Sequence, residues 1–247
     1  MHVLRVLVGL VFLLVPHSLA ACGLALVLAV DVSGSVDETE YRIQMDGLAQ
    51  ALRDGIVSEA LVRAQAEVLL LQWSGTTRQE VSIPWTGIGD FEDVETLANR
   101  ISATPRPWRN FSTALGEALE LGAAQFAQVP HCQRRVIDLS GDGVSNEGVA
   151  PRVLHPGLAE QGITVNAIAI EQSDPDLTAY FYENVIMGEG AFVETAFTFR
   201  DYPQKIRRKL IREVAEKTAK RLPPSDSAWP DLQRFAEGRA DSAKILQ

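Results

Sequence analysis

Leu24-Ala-Leu-Val-Leu-Ala-Val30, running into Asp31-Val-Ser-Gly-Ser35, is the stretch from which the fold is read. Continuous apolar character without alternation suits a strand buried on both faces of a parallel sheet. Tyr41, Met45, Leu48 and Leu52 then recur at helical spacing, which predicts a helix from about Thr39 to Arg53. Glu67 to Ser74 reads as a second buried strand, and Gln79 to Trp85, more polar and containing Pro84, as an edge strand. Phe91 to Ile101 is helical, and Pro105-Arg-Pro-Trp-Arg-Asn-Phe111 is a loop. A helix from Thr113 to Phe126 follows, with Leu115, Leu119, Gly122 and Phe126 on one face. Val136 to Ser140 is the next strand and ends in the turn Gly141 to Gly148. Val149 to Gln161 reads as a helix that Pro151 and Pro156 shorten or break. A strand at Ile163 to Ile170, a short helix at Leu177 to Glu183, a strand at Ala191 to Glu194 and a helix from Pro203 to about Lys217 complete the pattern. Alternation of this kind predicts an α/β fold: a doubly wound, mainly parallel six-stranded sheet with helices on both faces.

The 247 residues suffice for one substantial core and not comfortably for two. A formal net charge of -9 argues against a nucleic-acid partner, which would require clustered Lys and Arg. Arg5, the apolar run Val6 to Val15, Pro16 and the small-residue end Ser18-Leu19-Ala20 read as a secretory signal peptide, cleaved after Ala20 or Ala21. That run is too short for a permanent membrane span, and no other stretch is long and apolar enough. The expected organisation is therefore a signal peptide at 1–20, a folded domain at 22–219 and a polar C-terminal tail at 220–247, exported to the periplasm or secreted. Leu19-Ala20-Ala21-Cys22 also fits a bacterial lipobox, in which Cys22 would carry lipid; the first strand follows so closely that little tether would remain.

Cys22 and Cys132 are the two cysteines, each shortly before an apolar run that leads to an acidic residue, Asp31 in one case and Asp142 in the other. If those runs are adjacent parallel strands, both cysteines lie at the same edge of the sheet within bridging reach. In an exported chain this predicts a Cys22–Cys132 disulfide; lipidation of Cys22 would exclude it.

Ligands of open parallel sheets bind at the carboxyl ends of strands where the strand order reverses. Two strands end in oxygen-rich turns, Asp31-Val-Ser33-Gly-Ser35 and Ser140-Gly-Asp142-Gly143, and Ser112-Thr113 opens a helix. Asp, Ser and Thr offer hard oxygen ligands, which suit Mg²⁺ or Mn²⁺. The competing reading of Asp31 to Ser35 is a helix N-cap, where the same residue types are frequent.

Asp-x-Ser-x-Ser after a first apolar strand, a later Thr opening a helix and a later Asp-Gly after another strand together resemble the metal-ion-dependent adhesion site of von Willebrand factor A-type domains. The resemblance spans about Leu24 to Val214. It extends to Trp73-Ser74-Gly75, Thr113-Ala-Leu-Gly-Glu-Ala-Leu119, Arg135-Val-Ile-Asp-Leu-Ser-Gly-Asp-Gly143 and Gly188-Glu-Gly-Ala-Phe192, which are similar to a group of secreted bacterial members of the fold with no assigned function. It implies that Ser33, Ser35 and Thr113 coordinate a divalent ion, Mg²⁺ or Mn²⁺, through hydroxyls, while Asp31 and Asp142 act mainly through bound water. It also implies an open coordination position for a carboxylate of a protein partner.

Other residues carry two readings each. Asp138, mid-strand, is a core carboxylate or a support for the site. Ser74 and Asn146 lie near the site or serve turns. Trp108 contacts a ligand or packs. Lys205-Ile-Arg-Arg-Lys209 with Arg212 is a solvated helix face, or a contact for anionic lipid or an acidic partner. Asn110-Phe-Ser112 matches a glycosylation acceptor, relevant only to a eukaryotic secretory route.

Function is expected to be binding rather than catalysis: a metal-dependent, adhesion-type module, or alternatively a structural subunit of an envelope complex. A metal-assisted hydrolase is the remaining reading. Against an enzyme stand a metal constellation without His (His2, His17, His131 and His155 all lie elsewhere), no acid–base pair beyond the ligands, no G-x-S-x-G elbow and no P-loop. No catalytic residue is assigned.

Overall fold

The computed structural model describes residues 22–215. The expected signal segment, its lipobox apart from Cys22, and the polar C-terminal stretch lie outside the described residues. Six strands form one sheet: β1 (Ala25–Asp31), β2 (Glu67–Trp73), β3 (Gln79–Gly87), β4 (Arg135–Gly141), β5 (Ile163–Ile170) and β6 (Val193–Ala196), in the order β3-β2-β1-β4-β5-β6. All neighbours pair in parallel except β2 and β3. The antiparallel β3 is an edge strand, so its Pro84 costs the sheet no interior bond.

The unbroken apolar character of β1 is explained by what covers it. Leu26, Leu28 and Val30 face one core, shared with α1 (Glu38–Leu52), α2 (Gly55–Ala64), α3 (Phe91–Ala103) and α7 (Tyr202–Ala215). Ala25, Val27 and Ala29 face a second core, shared with α4 (Leu115–Gln125), α5 (His155–Glu160) and α6 (Leu177–Asn184). Each strand residue of this kind loses its contact with water on whichever side it points.

Three elements differ from the sequence reading, and a fourth follows it. α2 was not expected: its buried apolar anchors, Val57 and Leu61, are too few to declare a period. Asp54 caps that helix, its side chain accepting from the Ile56 N–H. α4 starts at Leu115 rather than Thr113. β6 lies two residues further on than Ala191 to Glu194. The expected helix at 149–161 is broken, as its prolines imply, into a 3-10 turn at Pro151–Leu154 and the short α5.

From β1 the chain proceeds outward through β2 to β3, and from β4 it proceeds in the opposite direction through β5 to β6. The order therefore reverses between β1 and β4, where connections diverge and leave a crevice at the carboxyl ends. At the amino ends of the same two strands Ala25 is level with Arg135. There Cys22 and Cys132 form a disulfide, with Cα atoms 4.5 Å apart across a separation of 110 residues. The Gln133 N–H donates to Cys22 O at 2.9 Å beside it.

Candidate metal centre

The N-cap of α1 is Asp37, in a capping box with Glu40. Asp31, Ser33 and Ser35 are thus left over by the helix. At the end of β1 the Ser33 N–H donates to Asp31 Oδ1 at 2.7 Å, closing a tight Asx-type turn. The Ser33 and Ser35 hydroxyls are 3.2 Å apart, and Ser35 donates to Asp142 Oδ1 at 2.5 Å. The Asp142 N–H points back to Asp31 Oδ2 at 3.5 Å. Two turns more than a hundred residues apart in sequence are therefore closed into one ring, in which side-chain oxygens are linked by hydroxyls and by the Ser33 and Asp142 N–H groups. Asp31, Ser33, Thr113 and Asp142 are buried while Ser35 is exposed, so the ring opens to water on one side.

Thr113 enters from the segment before α4. Its N–H donates to Asn146 Oδ1 at 2.9 Å and its carbonyl accepts from the Asn146 N–H at 3.0 Å. With its main chain committed to the 145–147 turn, Thr113 cannot be helical, which is why α4 begins later. The first free N–H of that helix, on Leu115, is instead taken by Ser145 Oγ at 3.3 Å. The Thr113 hydroxyl lies beside Gly143, where an added Cβ would sit 3.9 Å from Oγ1. Ser74 ties the same segment from below, donating to Ser112 O at 3.1 Å and accepting the Ala114 N–H on its carbonyl at 2.9 Å. Asn146 and Ser74 thus hold Thr113 in place. All five sequence-predicted residues converge on the crevice between β1 and β4.

Two further residues, Gln44 and Arg106, belong to the site. Gln44, buried on α1, donates to Asp31 O at 3.2 Å and accepts from the Ser140 hydroxyl at 3.3 Å. A polar residue on the apolar face of a predicted helix was the available signal. Arg106, from the Pro-Arg-Pro loop, donates through Nη2 to Val32 O at 3.0 Å and Ser33 O at 2.7 Å. Nothing in its local sequence announces this.

Burial, and then the negative charge of Asp142, push the Asp31 carboxyl from 3.8 up to about 8. Burial also raises Asp142, although the Ser35 hydroxyl pulls the other way. Two carboxylates held close together with little solvent are short of positive charge. The donor set is all hard oxygen, two carboxylates and three hydroxyls, and fits a small divalent cation.

Asp138, mid-strand, pairs with Lys209 Nζ of α7 at 2.5 Å, a core carboxylate away from the crevice. Lys209 is fully buried, which corrects the solvated-face reading for that residue. The remaining basic run is tied to the fold: Lys205 and Arg208 lie 3.6 and 3.7 Å from Glu194, and Arg207 lies 2.7 Å from Asp54. Trp108 packs partly buried against the first core. His131 lies beside the disulfide sulfurs, at the amino ends of the strands.

Residues 21–218 match the family described as "Protein of unknown function (DUF1194)". The chain belongs to the DUF1194 family. No curated protein matches this DUF1194 chain in sequence. Among solved structures it is similar to proximal thread matrix protein 1 from the mussel byssus, with 18% identity over 78% of this chain and 48% of that one at a TM-score of 0.59. It is similar also to the pilus adhesin SpaC from Lactobacillus rhamnosus GG in its open conformation, with 14% identity over 78% and 30% at 0.56. A von Willebrand factor type A protein from Catenulispora acidiphila matches with 14% identity over 78% and 43% at 0.53. The DUF1194 chain thus spans less than half the length of each of these proteins. At such identities the likeness establishes the fold, a von Willebrand factor A-type α/β sheet.

Proposed function

We propose that the chain is an extracytoplasmic, adhesion-type protein-binding module in which Asp31, Ser33, Ser35, Thr113 and Asp142 hold a Mg²⁺ or Mn²⁺ ion. The observation that carries this reading is the ring of side-chain oxygens between β1 and β4, with two carboxyls raised by burial and one hydroxyl open to water. Bound there, a divalent ion supplies positive charge that neutral hydroxyl ligands leave largely uncancelled, and a carboxylate of a protein partner is the natural complement. The chain's own part is to hold those oxygens in place and keep the Asp31 side dry.

The fold supports this reading. It is shared with a pilus adhesin and with a byssus matrix protein whose structure is described with a zinc-occupied MIDAS motif, at 16% identity and a TM-score of 0.51. Export is supported by the Cys22–Cys132 bridge, since disulfides persist in oxidising compartments. Among the described residues no helix is long and apolar enough to cross a membrane. We assign no catalytic role. His131 sits at the far end of the strands from Asp31, and both carboxylates of the site are committed to the ring.

Calorimetric titration of Mg²⁺ and Mn²⁺ into the purified domain tests the centre. One saturable site is expected, lost in Asp31→Ala and Thr113→Ala. Capture of partner proteins from the native envelope, expected to disappear with a chelator, then separates a binding module from a structural subunit. Turnover of generic esters or phosphate esters that is lost in Asp31→Ala would sink the non-catalytic reading.

A further inference from the structure

Three main-chain oxygens of the Asp31–Ser35 turn are already occupied. Asp31 O accepts from Gln44 Nε2 at 3.2 Å, Val32 O from Arg106 Nη2 at 3.0 Å, and Ser33 O from Arg106 Nη2 at 2.7 Å and the Val36 N–H at 3.2 Å. Three successive carbonyls ahead of Gly34 are thus withdrawn from the ligand set, two of them by one guanidinium nitrogen. Arg106 is placed for this by its flanking prolines, which limit the conformations open to the loop, and by Gln72 Nε2, which donates to Pro105 O at 3.2 Å. Its guanidinium is charged at every working pH, so the clamp does not titrate away.

Ion choice depends on how many oxygens a site can offer. Ca²⁺ takes six to eight, commonly including backbone carbonyls, in an adaptable geometry, whereas Mg²⁺ demands a compact octahedron and keeps several waters. Resting on the metal-centre reading above, we propose that Arg106 is the selectivity-determining residue of the site. By occupying Val32 O and Ser33 O it withdraws two main-chain oxygens from those an ion could recruit, and so favours Mg²⁺ or Mn²⁺ over Ca²⁺. Its positive charge is a separate influence, felt by both ions alike.

Titration of Mg²⁺ and of Ca²⁺ into wild type, Arg106→Met and Arg106→Lys separates the two effects. Arg106→Met frees Val32 O and leaves Ser33 O with the Val36 N–H alone, and the preference for Mg²⁺ over Ca²⁺ is expected to fall by about 10- to 100-fold, the range for loss of a residue that orients metal ligands. Arg106→Lys keeps the charge but ends one bond short of Nη2, so its preference should fall in the same direction. A role through charge alone would leave Arg106→Lys at the wild-type ratio and tighten both ions equally in Arg106→Met. A merely structural role would weaken both ions together. Either pattern overturns the proposal. Thermal melting in chelator reports whether each variant folds; if Arg106→Met does not, the Arg106→Lys ratio decides. Wild type that binds neither ion would instead remove the metal centre itself.

Discussion

Asp31 shows how one residue's surroundings set its chemistry. It is 0% exposed, and its Oδ1 accepts the Ser33 N–H while its Oδ2 faces the main chain of Asp142. Because burial and the Asp142 charge push its carboxyl up to about 8 from the ordinary 3.8, the metal-free folded state holds between those values a proton that the unfolded chain has lost. The contribution of this group to stability is therefore fully present below about pH 4 and drains away as pH rises toward 8. Melting temperatures in chelator should decline across that window, and Asp31→Asn should flatten the decline. Mg²⁺ must displace the proton, so its affinity is expected to rise with pH up to about 8, with proton release on binding below that value. Calorimetry in two buffers of different ionisation enthalpy measures the release; equal heats in both at pH 6 would contradict it.

At the scale of an element, α7 joins the sheet through charge as well as apolar contact. Ile206, Leu210 and Val214 fall at helical spacing and enter the first core. Between them Lys209, without solvent exposure, lies 2.5 Å from Asp138 of β4 and 3.2 Å from Glu213 on its own helix. Asn166 of β5 closes the cluster, donating to Glu213 Oε1 at 2.7 Å. Burial, and then the charge of Glu213, push Asp138 well above the ordinary carboxylate range, so the single lysine does not fully compensate two acids. Lys209→Met should cost about 3–5 kcal/mol in urea denaturation because it strands buried carboxylates, whereas Lys209→Met with Asp138→Asn and Glu213→Gln should recover most of that. A triple variant no more stable than the single would show that packing around the lysine stem, not charge, is what the cluster contributes. From its spacing α7 was legible as a helix with an apolar face. The burial of Lys209 was not, since it depends on acids contributed partly by a strand seventy residues earlier.

Over the whole molecule, the two ends of the β1–β4 pair have different tasks. The carboxyl ends carry the oxygen ring, and the amino ends are fastened by Cys22–Cys132 across 110 residues of separation. Closing a loop of that length restricts the unfolded chain, and removing a native disulfide typically costs about 2–5 kcal/mol. Cys22→Ser with Cys132→Ser should lower stability by that amount while leaving Mg²⁺ affinity close to wild type at temperatures where the variant is folded, because the bridge lies at the opposite end of the strands from Asp31. A tenfold loss of affinity in folded variant protein would show that the two ends are coupled.

By itself the sequence determined the alternation of strands and helices and the double burial of β1, and it offered the cysteine pair and the five oxygen-bearing residues as expectations. Each was legible because it is written in local periodicity or in a short run of residue types. Asp31, Ser33 and Ser35 mark the end of an apolar run, and Asp142 marks the end of another. Only the tertiary structure decided that Thr113 stands outside α4, and that Gln44 and Arg106 take up the carbonyls beneath the site. It also decided that α2 exists and that Lys209 is buried. These outcomes turn on hydrogen bonds and charges supplied by segments distant in the chain, such as Asn146 for Thr113 and the 105–107 loop for Val32 and Ser33. Local pattern can mark a residue such as Gln44 as out of place on an apolar face, but it does not say which partner the fold will bring to it.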